Sequence, residues 1–189
     1  MRSPDENGVS GPFLLSLARG SIEYGFEHRS PLPVRVEELP AALAEPAATF
    51  TTLRRGAELR GCCGTLEARQ ALAADVAHSA FQAAFHDPRF APLLRDEFQG
   101  IDLEVSVLTP METMHVSDDA DLLEQLQPGV DGLVIVEGGR RATFLPKVWE
   151  NLPEPGQFIA QLKAKCGLPC DYWSPRLEFL RYRTTTWSE

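Results

Sequence analysis

The stretch Ala48-Thr49-Phe50-Thr51-Thr52-Leu53 is followed by Arg54-Arg55-Gly56-Ala57-Glu58 and then by Leu59-Arg60-Gly61-Cys62-Cys63-Gly64-Thr65. Residues 48–53 are rich in Thr and Phe, which favour extended structure. The Arg55-Gly56 dipeptide predicts a turn, and residues 58–65 can return beside the first strand. The stretch therefore predicts an antiparallel hairpin, around which the other elements are arranged.

The segments on both sides of this hairpin alternate between helical and strand periodicity. A stripe of small and apolar residues predicts a helix over 71–85. Residues 101–108 alternate apolar and polar side chains, which is the period of a half-buried strand. Because strands join through hairpins and helices fall between the hairpin groups, we expect an α+β fold with a largely antiparallel sheet and flanking helices. The other predicted elements are a helix beginning near Pro12, a helix over 118–126, a hairpin over 133–145, a helix over 158–166 and a strand over 177–183.

Length, charge and cysteine usage limit the classes of function. A chain of 189 residues predicts one domain, or one domain with a smaller lobe. The 18 basic and 27 acidic residues give a net charge of −9, which argues against a partner held mainly through phosphates. No apolar run is long enough to predict a membrane span. The adjacent Cys62 and Cys63 form a poor disulfide framework, so we expect a cytoplasmic protein.

Residues 60–65, called the Arg-Gly-Cys segment below, carry the most chemistry. Glycine weakens a strand interior, so Gly61 and Gly64 need a compensating reason, which is close approach of another backbone or of a ligand. In an extended strand, Arg60 and Cys62 project from one face about 6.6 Å apart. An arginine at this distance favours the thiolate, the reactive form of cysteine. Exposed glycine amides can also bind an anion.

A purely structural interpretation of this segment stays open. The glycines can mark a bulge, and both cysteines can be small core residues, because free cysteine is among the most buried residue types. A nucleophilic cysteine also needs a base. His78, His86 and His115 are available, but the sequence brings none of them to Cys62.

Three further features carry weaker predictions. Glu104 lies on the outward face of its strand, and it becomes a candidate acid or base if another element covers that face. The residues Asp87-Pro88-Arg89-Phe90 predict a tight turn in which Asp87 accepts hydrogen bonds from following amides. The four cysteines lack paired C-x-x-C spacing, so no structural metal or other cofactor is expected.

Several of these segments together resemble the AMMECR-type domain family. They occur in the family's order and cover about residues 12–185. The matching segments are Phe50-Thr51-Thr52-Leu53, Leu59-Arg60-Gly61-Cys62-Cys63-Gly64-Thr65, Asp87-Pro88-Arg89-Phe90, Glu104-Val105-Ser106-Val107-Leu108, Gly129-Val130-Asp131-Gly132-Leu133, Phe144-Leu145-Pro146-Lys147-Val148 and Lys165-Cys166-Gly167-Leu168. Cys62 is the cysteine that matches the family motif, whereas relatives commonly have Ile at Cys63, Ala at Cys166 and His at Asp131.

The resemblance implies a fold with a larger and a smaller lobe, and a cleft between them lined by the Arg-Gly-Cys segment. We therefore assign residues 12–189 to a single two-lobed domain and residues 1–11 to a flexible N-terminal segment. The resemblance also implies association with a Memo-type protein, which is similar to extradiol dioxygenases, and with a radical-SAM protein. It implies no particular reaction.

Two hypotheses for the function follow. In the first, the cleft binds a small polar or anionic ligand, with Cys62 as nucleophile or transient carrier and Glu104 as proton carrier. The candidate ligand-binding residues are Arg60, Gly61, Gly64 and Thr65, with Arg60 orienting the anion. In the second, the domain is a non-enzymatic module that docks onto the Memo-type protein, and the Arg-Gly-Cys segment serves only packing.

Overall fold

The computed structural model of the protein describes residues 9–189. Of the segment predicted to be flexible, residues 1–8 lie outside the described residues, and the first helix begins at Gly11. The helices are α1 (Gly11–His28), α2 (Ala41–Ala44), α3 (Leu72–Phe85), α4 (Arg95–Phe98), α5 (Asp119–Gln125) and α6 (Pro155–Lys165), with short 3-10 turns at Val36–Glu38 and Pro146–Glu150. The strands are β1 (Pro46–Arg55), β2 (Glu58–Gly64), β3 (Gln70–Ala71), β4 (Asp102–Leu108), β5 (Glu112–Met114), β6 (Gly132–Glu137), β7 (Arg140–Phe144), β8 (Glu178–Tyr182) and β9 (Thr184–Ser188).

The described chain forms two compact units. The first contains the described residues up to Leu108 together with Thr185–Glu189, and the second contains Thr109–Thr184. The first unit holds a sheet of order β2-β1-β4-β9, with β3 beside β1, and the second holds a sheet of order β5-β8-β6-β7. The α+β class and the antiparallel pairing are therefore confirmed, as is the hairpin of β1 and β2. The strands β3, β5 and β9 were not predicted.

In the first unit, the helices α1 and α3 pack on one face of the sheet. The stripe predicted for α3 lies in this core, because Leu72, Val76, Ala80 and Ala83 are all buried. The hydroxyl of Ser79 on α3 lies 2.8 Å from that of Thr51 on β1, so Thr51 points towards α3. Successive side chains of a strand point to opposite faces, so the residues directly before and after Thr51 point away from α3. The core is completed by Leu14, Ala18 and Ile22 of α1, Leu53 of β1, and Leu103 and Val105 of β4.

The second unit has a core of its own. Trp149 stacks on Phe158 of α6 with ring centroids 3.7 Å apart, and its indole N–H donates to the backbone oxygen of Asp131. Lys163 of α6 is fully buried, and its ammonium group binds both carboxylate oxygens of Asp119 at 2.7 and 2.8 Å. Burial of this charge is tolerated because its partner is bidentate.

Within residues 9–189, none of the helices combines the length and the apolar character needed to cross a membrane.

Candidate functional site

The Arg-Gly-Cys segment occupies the end of β2, which is an edge strand of the first sheet. Cys62 lies opposite Thr52 in the ladder. Its backbone N–H donates to Oδ2 of Asp87 at 2.8 Å, and its carbonyl accepts from Nη2 of Arg89 at 3.2 Å. The turn that follows α3 therefore satisfies backbone groups that an edge strand would otherwise leave open to another chain.

Asp87 is the centre of that turn. As predicted, its carboxylate accepts from a following amide, that of Arg89, at 3.1 Å. The Arg89 guanidinium also donates to it twice, at 2.9 and 2.7 Å, although the Asp87 side chain is only 2% exposed. These bonds from Arg89, helped by the Cys62 N–H, lower the pKa of Asp87 from 3.8 to about 2.

The two glycines of the segment are explained by the protein's own backbone. A Cβ at Gly61 would lie 2.2 Å from the carbonyl oxygen of Ala83 on α3, and a Cβ at Gly64 would lie 2.2 Å from that of Thr49. Of the two reasons that the sequence offered, close approach of another backbone is the one observed. The space that a ligand would need beside these two Cα atoms is filled.

Arg60 does not lie free beside the sulfur of Cys62. Its guanidinium donates to both carboxylate oxygens of Glu97, at 3.3 and 3.0 Å, and it lies over the Phe90 ring. The hydrogen bond from Arg60 is the largest cause of the lowered pKa of Glu97. The expectation that Arg60 promotes the thiolate therefore needs correction: the guanidinium that acts on Cys62 belongs to Arg89.

Cys62, Thr52 and Glu104 form a row across β2, β1 and β4 on the face opposite α3. The hydroxyl of Thr52 donates to the sulfur of Cys62 at 3.2 Å. Two strand spacings, about 10 Å, separate the backbone of Cys62 from that of Glu104, and the Glu104 carboxylate contributes to raising the pKa of the thiol. Burial raises the pKa of the Cys62 thiol, and this outweighs the lowering by Thr52 and Arg89. The thiol, not the thiolate, is the favoured form.

A cavity of about 320 Å³ lies on the other face, between the end of β2 and α3. Gly64 and Thr65, two predicted ligand-binding residues, line it, together with the thiol-bearing Cys63. The hydroxyl of Thr65 is held in a local turn, because it accepts from the N–H of Glu67 at 3.1 Å. The remaining lining residues are Arg69, Gln70, Asp75, His78, Ser79 and Gln82.

The inner wall of this cavity is polar and buried. Asp75 accepts from the N–H and the hydroxyl of Thr49, at 2.9 and 2.6 Å, and from the amide of Gln70 at 3.0 Å. The hydroxyl of Ser79 lies within hydrogen-bond distance of both Thr49 and Thr51. Such a connected network fixes the positions of its members. The cavity therefore has a preorganised polar wall.

This wall was not predicted from the sequence. The prediction for α3 concerned its apolar stripe and did not include Asp75, Ser79 or Gln82 as site residues. These three residues follow each other at i, i+4 and i+7, the spacing that places side chains on one face of a helix. Polar residues on a helix face beside an alanine-rich stripe were the available signal.

The described residues give no indication of a metal centre. Within residues 9–189, no three His, Cys, Asp or Glu side chains are grouped so that they could hold a metal ion. Cys62, Cys63, Cys166 and Cys170 are all free thiols.

Comparison with known proteins places the chain among relatives of undefined function. A protein of Methanococcus aeolicus is 36% identical over 166 residues, which cover 86% of this chain and 82% of that protein. A protein of Methanothermobacter thermautotrophicus is 34% identical over 183 residues, covering 95% and 94%. The crystal structure of the uncharacterised protein PH0010 from Pyrococcus horikoshii superposes with a TM-score of 0.87 at 29% identity, over 95% of this chain and 91% of that one.

The family comparison covers both units. The AMMECR1 family matches residues 15–187, which include the Arg-Gly-Cys segment, the turn at Asp87 and the whole second unit. This match confirms the resemblance found from the sequence motifs, and with it the fold class. The chain belongs to the AMMECR1 family.

Proposed function

We propose that this protein binds a small polar molecule in the cavity between the end of β2 and α3. The observation that carries the proposal is the cavity itself, since about 320 Å³ is within the range of small-molecule sites. Its wall combines a carboxylate, a hydroxyl and the amide of Gln70, which are already fixed by hydrogen bonds. Convergent, preorganised polar groups give such a site its specificity.

The proposal favours binding over nucleophilic catalysis by Cys62. Burial raises the pKa of this thiol, and Arg60, expected to orient an anion, is paired with Glu97. Glu104 stands in the same row as Cys62 but about two strand spacings away, with Thr52 between them. A polar ligand fits these contacts better than an anionic one.

In the experiment that tests this proposal, the cavity is blocked by chemical modification of Cys63, which lines it. In a variant carrying Cys62→Ser and Cys170→Ser, Cys63 is capped with methyl methanethiosulfonate, which adds a small S-methyl group. Capped and uncapped proteins are then screened by ligand-observed NMR against a library of small polar metabolites. We expect at least one compound to bind the uncapped protein and to lose binding on capping. If every binder is indifferent to the cap, the cavity is not the binding site.

A second candidate function is docking onto a protein. We propose the partners that the family resemblance implies, a Memo-type protein and a radical-SAM protein. One feature of the first unit favours a contact near the segment: Leu94 is 65% exposed, and its backbone N–H donates to the same Glu97 carboxylate that holds Arg60. Arginine is among the residue types that most often dominate binding at protein interfaces, and a partner can cover the exposed apolar side chain beside it.

Calorimetry with a Memo-type protein tests this second candidate. We expect Leu94→Ser to weaken binding at least tenfold and Arg60→Ala to weaken it further. Leu123→Ser, an exposed leucine of the second unit, is the matched control and should leave the affinity unchanged. Binding that survives Leu94→Ser, Arg60→Ala and Cys62→Ser would place the interface elsewhere, and lack of any heat of binding would remove this partner.

A further inference from the structure

The carboxylate of Asp75 is the charged group at the inner wall of the cavity. The residue is 3% exposed. Its donors are the N–H and hydroxyl of Thr49 and the amide of Gln70, all of which are neutral. None of these donors is a cation, so none of them offsets the formal charge of the carboxylate.

The same carboxylate has an acceptor position to spare. An ionised carboxylate offers about four lone-pair sites. Oδ2 takes two donors from Thr49, whereas Oδ1 takes one from Gln70. Asp75 also lines the cavity, so a donor placed there can complete the coordination of Oδ1.

The other ionisable groups of the cavity do not cancel this charge. Arg69 is 75% exposed, and its guanidinium binds the carboxylate of Glu67 at 2.9 and 2.6 Å. His78 is exposed. Charges at the solvent-facing rim are screened by water and salt, whereas a charge at the buried wall is screened much less. Asp75 is therefore the buried acidic group of the wall, whereas Asp87 and Arg89, which also act on Cys63, are paired with each other.

We propose that the cavity selects a cationic ligand, a small molecule whose ammonium or amidinium N–H donates to Oδ1 of Asp75. This inference rests on the proposed function, because it names the class of ligand for the same cavity. A charge-assisted hydrogen bond of this kind is about twice as strong as a neutral one. The amides of Gln70 and Gln82 and the hydroxyl of Ser79 line the same space and can contact the polar remainder of the ligand.

The native thiol of Cys63 reports the potential directly. In the Cys62→Ser, Cys170→Ser background, its modification rate is measured with three methanethiosulfonates: a trimethylammonium reagent, a sulfonate reagent and the neutral methyl reagent. Each rate is divided by that for 2-mercaptoethanol, and peptide mapping separates Cys63 from the buried Cys166. We expect the cationic reagent to exceed the anionic one by about tenfold, the scale on which charged clefts enrich counter-ions.

Asp75→Asn removes the charge at nearly constant shape. The Asn oxygen can keep both donors of Thr49, and its NH₂ can donate to Gln70 after the Gln70 amide flips. We expect the ratio of cationic to anionic rates to fall to about one in this variant. Gln82→Lys, on the rim of the cavity, provides an independent test that leaves Asp75 in place; it should invert the preference, while the uncharged Gln82→Met should not change it.

The outcomes separate the two proposals. In the protein that keeps Asp75, the neutral reagent can modify Cys63 while the cationic and anionic reagents react at equal normalised rates. That result overturns cation selection but leaves the cavity as a binding site. A preference that persists in Asp75→Asn and in Gln82→Lys also overturns it. If none of the three reagents reaches Cys63, the cavity is closed, and the proposed function fails together with this inference.

Discussion

Ion pairs between arginines and carboxylates limit how far the arginines near Cys62 can stabilise its thiolate. The sequence places Arg60 two positions from the sulfur, which predicts a thiolate. In the fold, Glu97 holds Arg60 and Asp87 holds Arg89, so neither guanidinium is available as an isolated charge. Burial then dominates, and the pKa of the Cys62 thiol rises above its ordinary value of 9.0. The sequence shows that Arg60 is close to Cys62 along the chain, but it does not show that the carboxylate of Glu97 pairs with Arg60.

This balance predicts slow alkylation of Cys62. In a variant with Cys63→Ser and Cys170→Ser, which removes the other two thiols that are not buried, the rate of modification of Cys62 by iodoacetamide is followed from pH 6 to 11. Because the pKa of the folded thiol is raised, we expect the midpoint of the rate profile above pH 9 and a rate at pH 7 below that of the urea-unfolded chain. A midpoint below that of the unfolded chain would show an activated cysteine and restore the nucleophile hypothesis.

Asp87 predicts a specific dependence of stability on acid. Its pKa is 3.8 as a free group and about 2 in the fold, so its contribution is complete above about pH 4 and is lost as the pH falls toward 2. The depression corresponds to about 2 kcal/mol. We expect Asp87→Asn to lower the free energy of unfolding by about this amount at pH 7, measured by urea denaturation. The difference from the native chain should shrink below pH 4; a difference independent of pH would assign the loss to packing.

At the level of elements, the contact between β2 and α3 depends on Gly61. The helix backbone comes so close that a methyl group would meet the carbonyl oxygen of Ala83 at 2.2 Å, and a backbone atom cannot move aside as a flexible side chain can. The close approach brings the end of β2 and the polar face of α3 to the two sides of one cavity. Glycine at this position therefore has a structural role that also shapes the candidate site.

Gly61→Ala tests this role. We expect a loss of about 2–3 kcal/mol in the free energy of unfolding, the scale of overpacking in a core that cannot relax. Gly156→Ala is the control, because Gly156 in α6 has open space around its Cα and no positive φ. There the better helix propensity of Ala should leave stability unchanged or raise it by up to about 1 kcal/mol. Equal effects of the two substitutions in urea denaturation would contradict the close-contact argument.

The elements that the sequence predicts well are those with a local pattern. The hairpin of β1 and β2, the α3 stripe and the alternation of β4 all follow from neighbours in the chain. The three-residue strand β5 is too short to show a period, and β9 consists of Thr184-Thr-Thr-Trp-Ser188, whose pairing with β4 depends on chain segments far apart. The site was predicted less well for the same reason, since Asp75 meets Thr49 only through tertiary packing.

Charge is the property of the whole molecule that limits its partners. The net charge is −9, and several arginines of the described chain are already bound to carboxylates, among them Arg19 with Glu189, Arg60 with Glu97 and Arg89 with Asp87. An arginine paired in this way contributes little positive potential beyond its own carboxylate. The chain is therefore acidic as a whole, and carboxylates also neutralise these arginines locally.

This distribution predicts that the protein does not bind nucleic acid through its backbone phosphates. We expect it to pass through a heparin column at about 0.15 M salt, because phosphate contacts require several unpaired Lys or Arg side chains. A basic nucleic-acid-binding domain of similar size, run on the same column, serves as the control. Retention of the protein, with an affinity that falls steeply as the salt concentration is raised, would reveal a basic surface that carboxylates do not neutralise. Since the slope of affinity against salt counts the phosphates contacted, a slope of about three or more would reopen nucleic acid as a ligand.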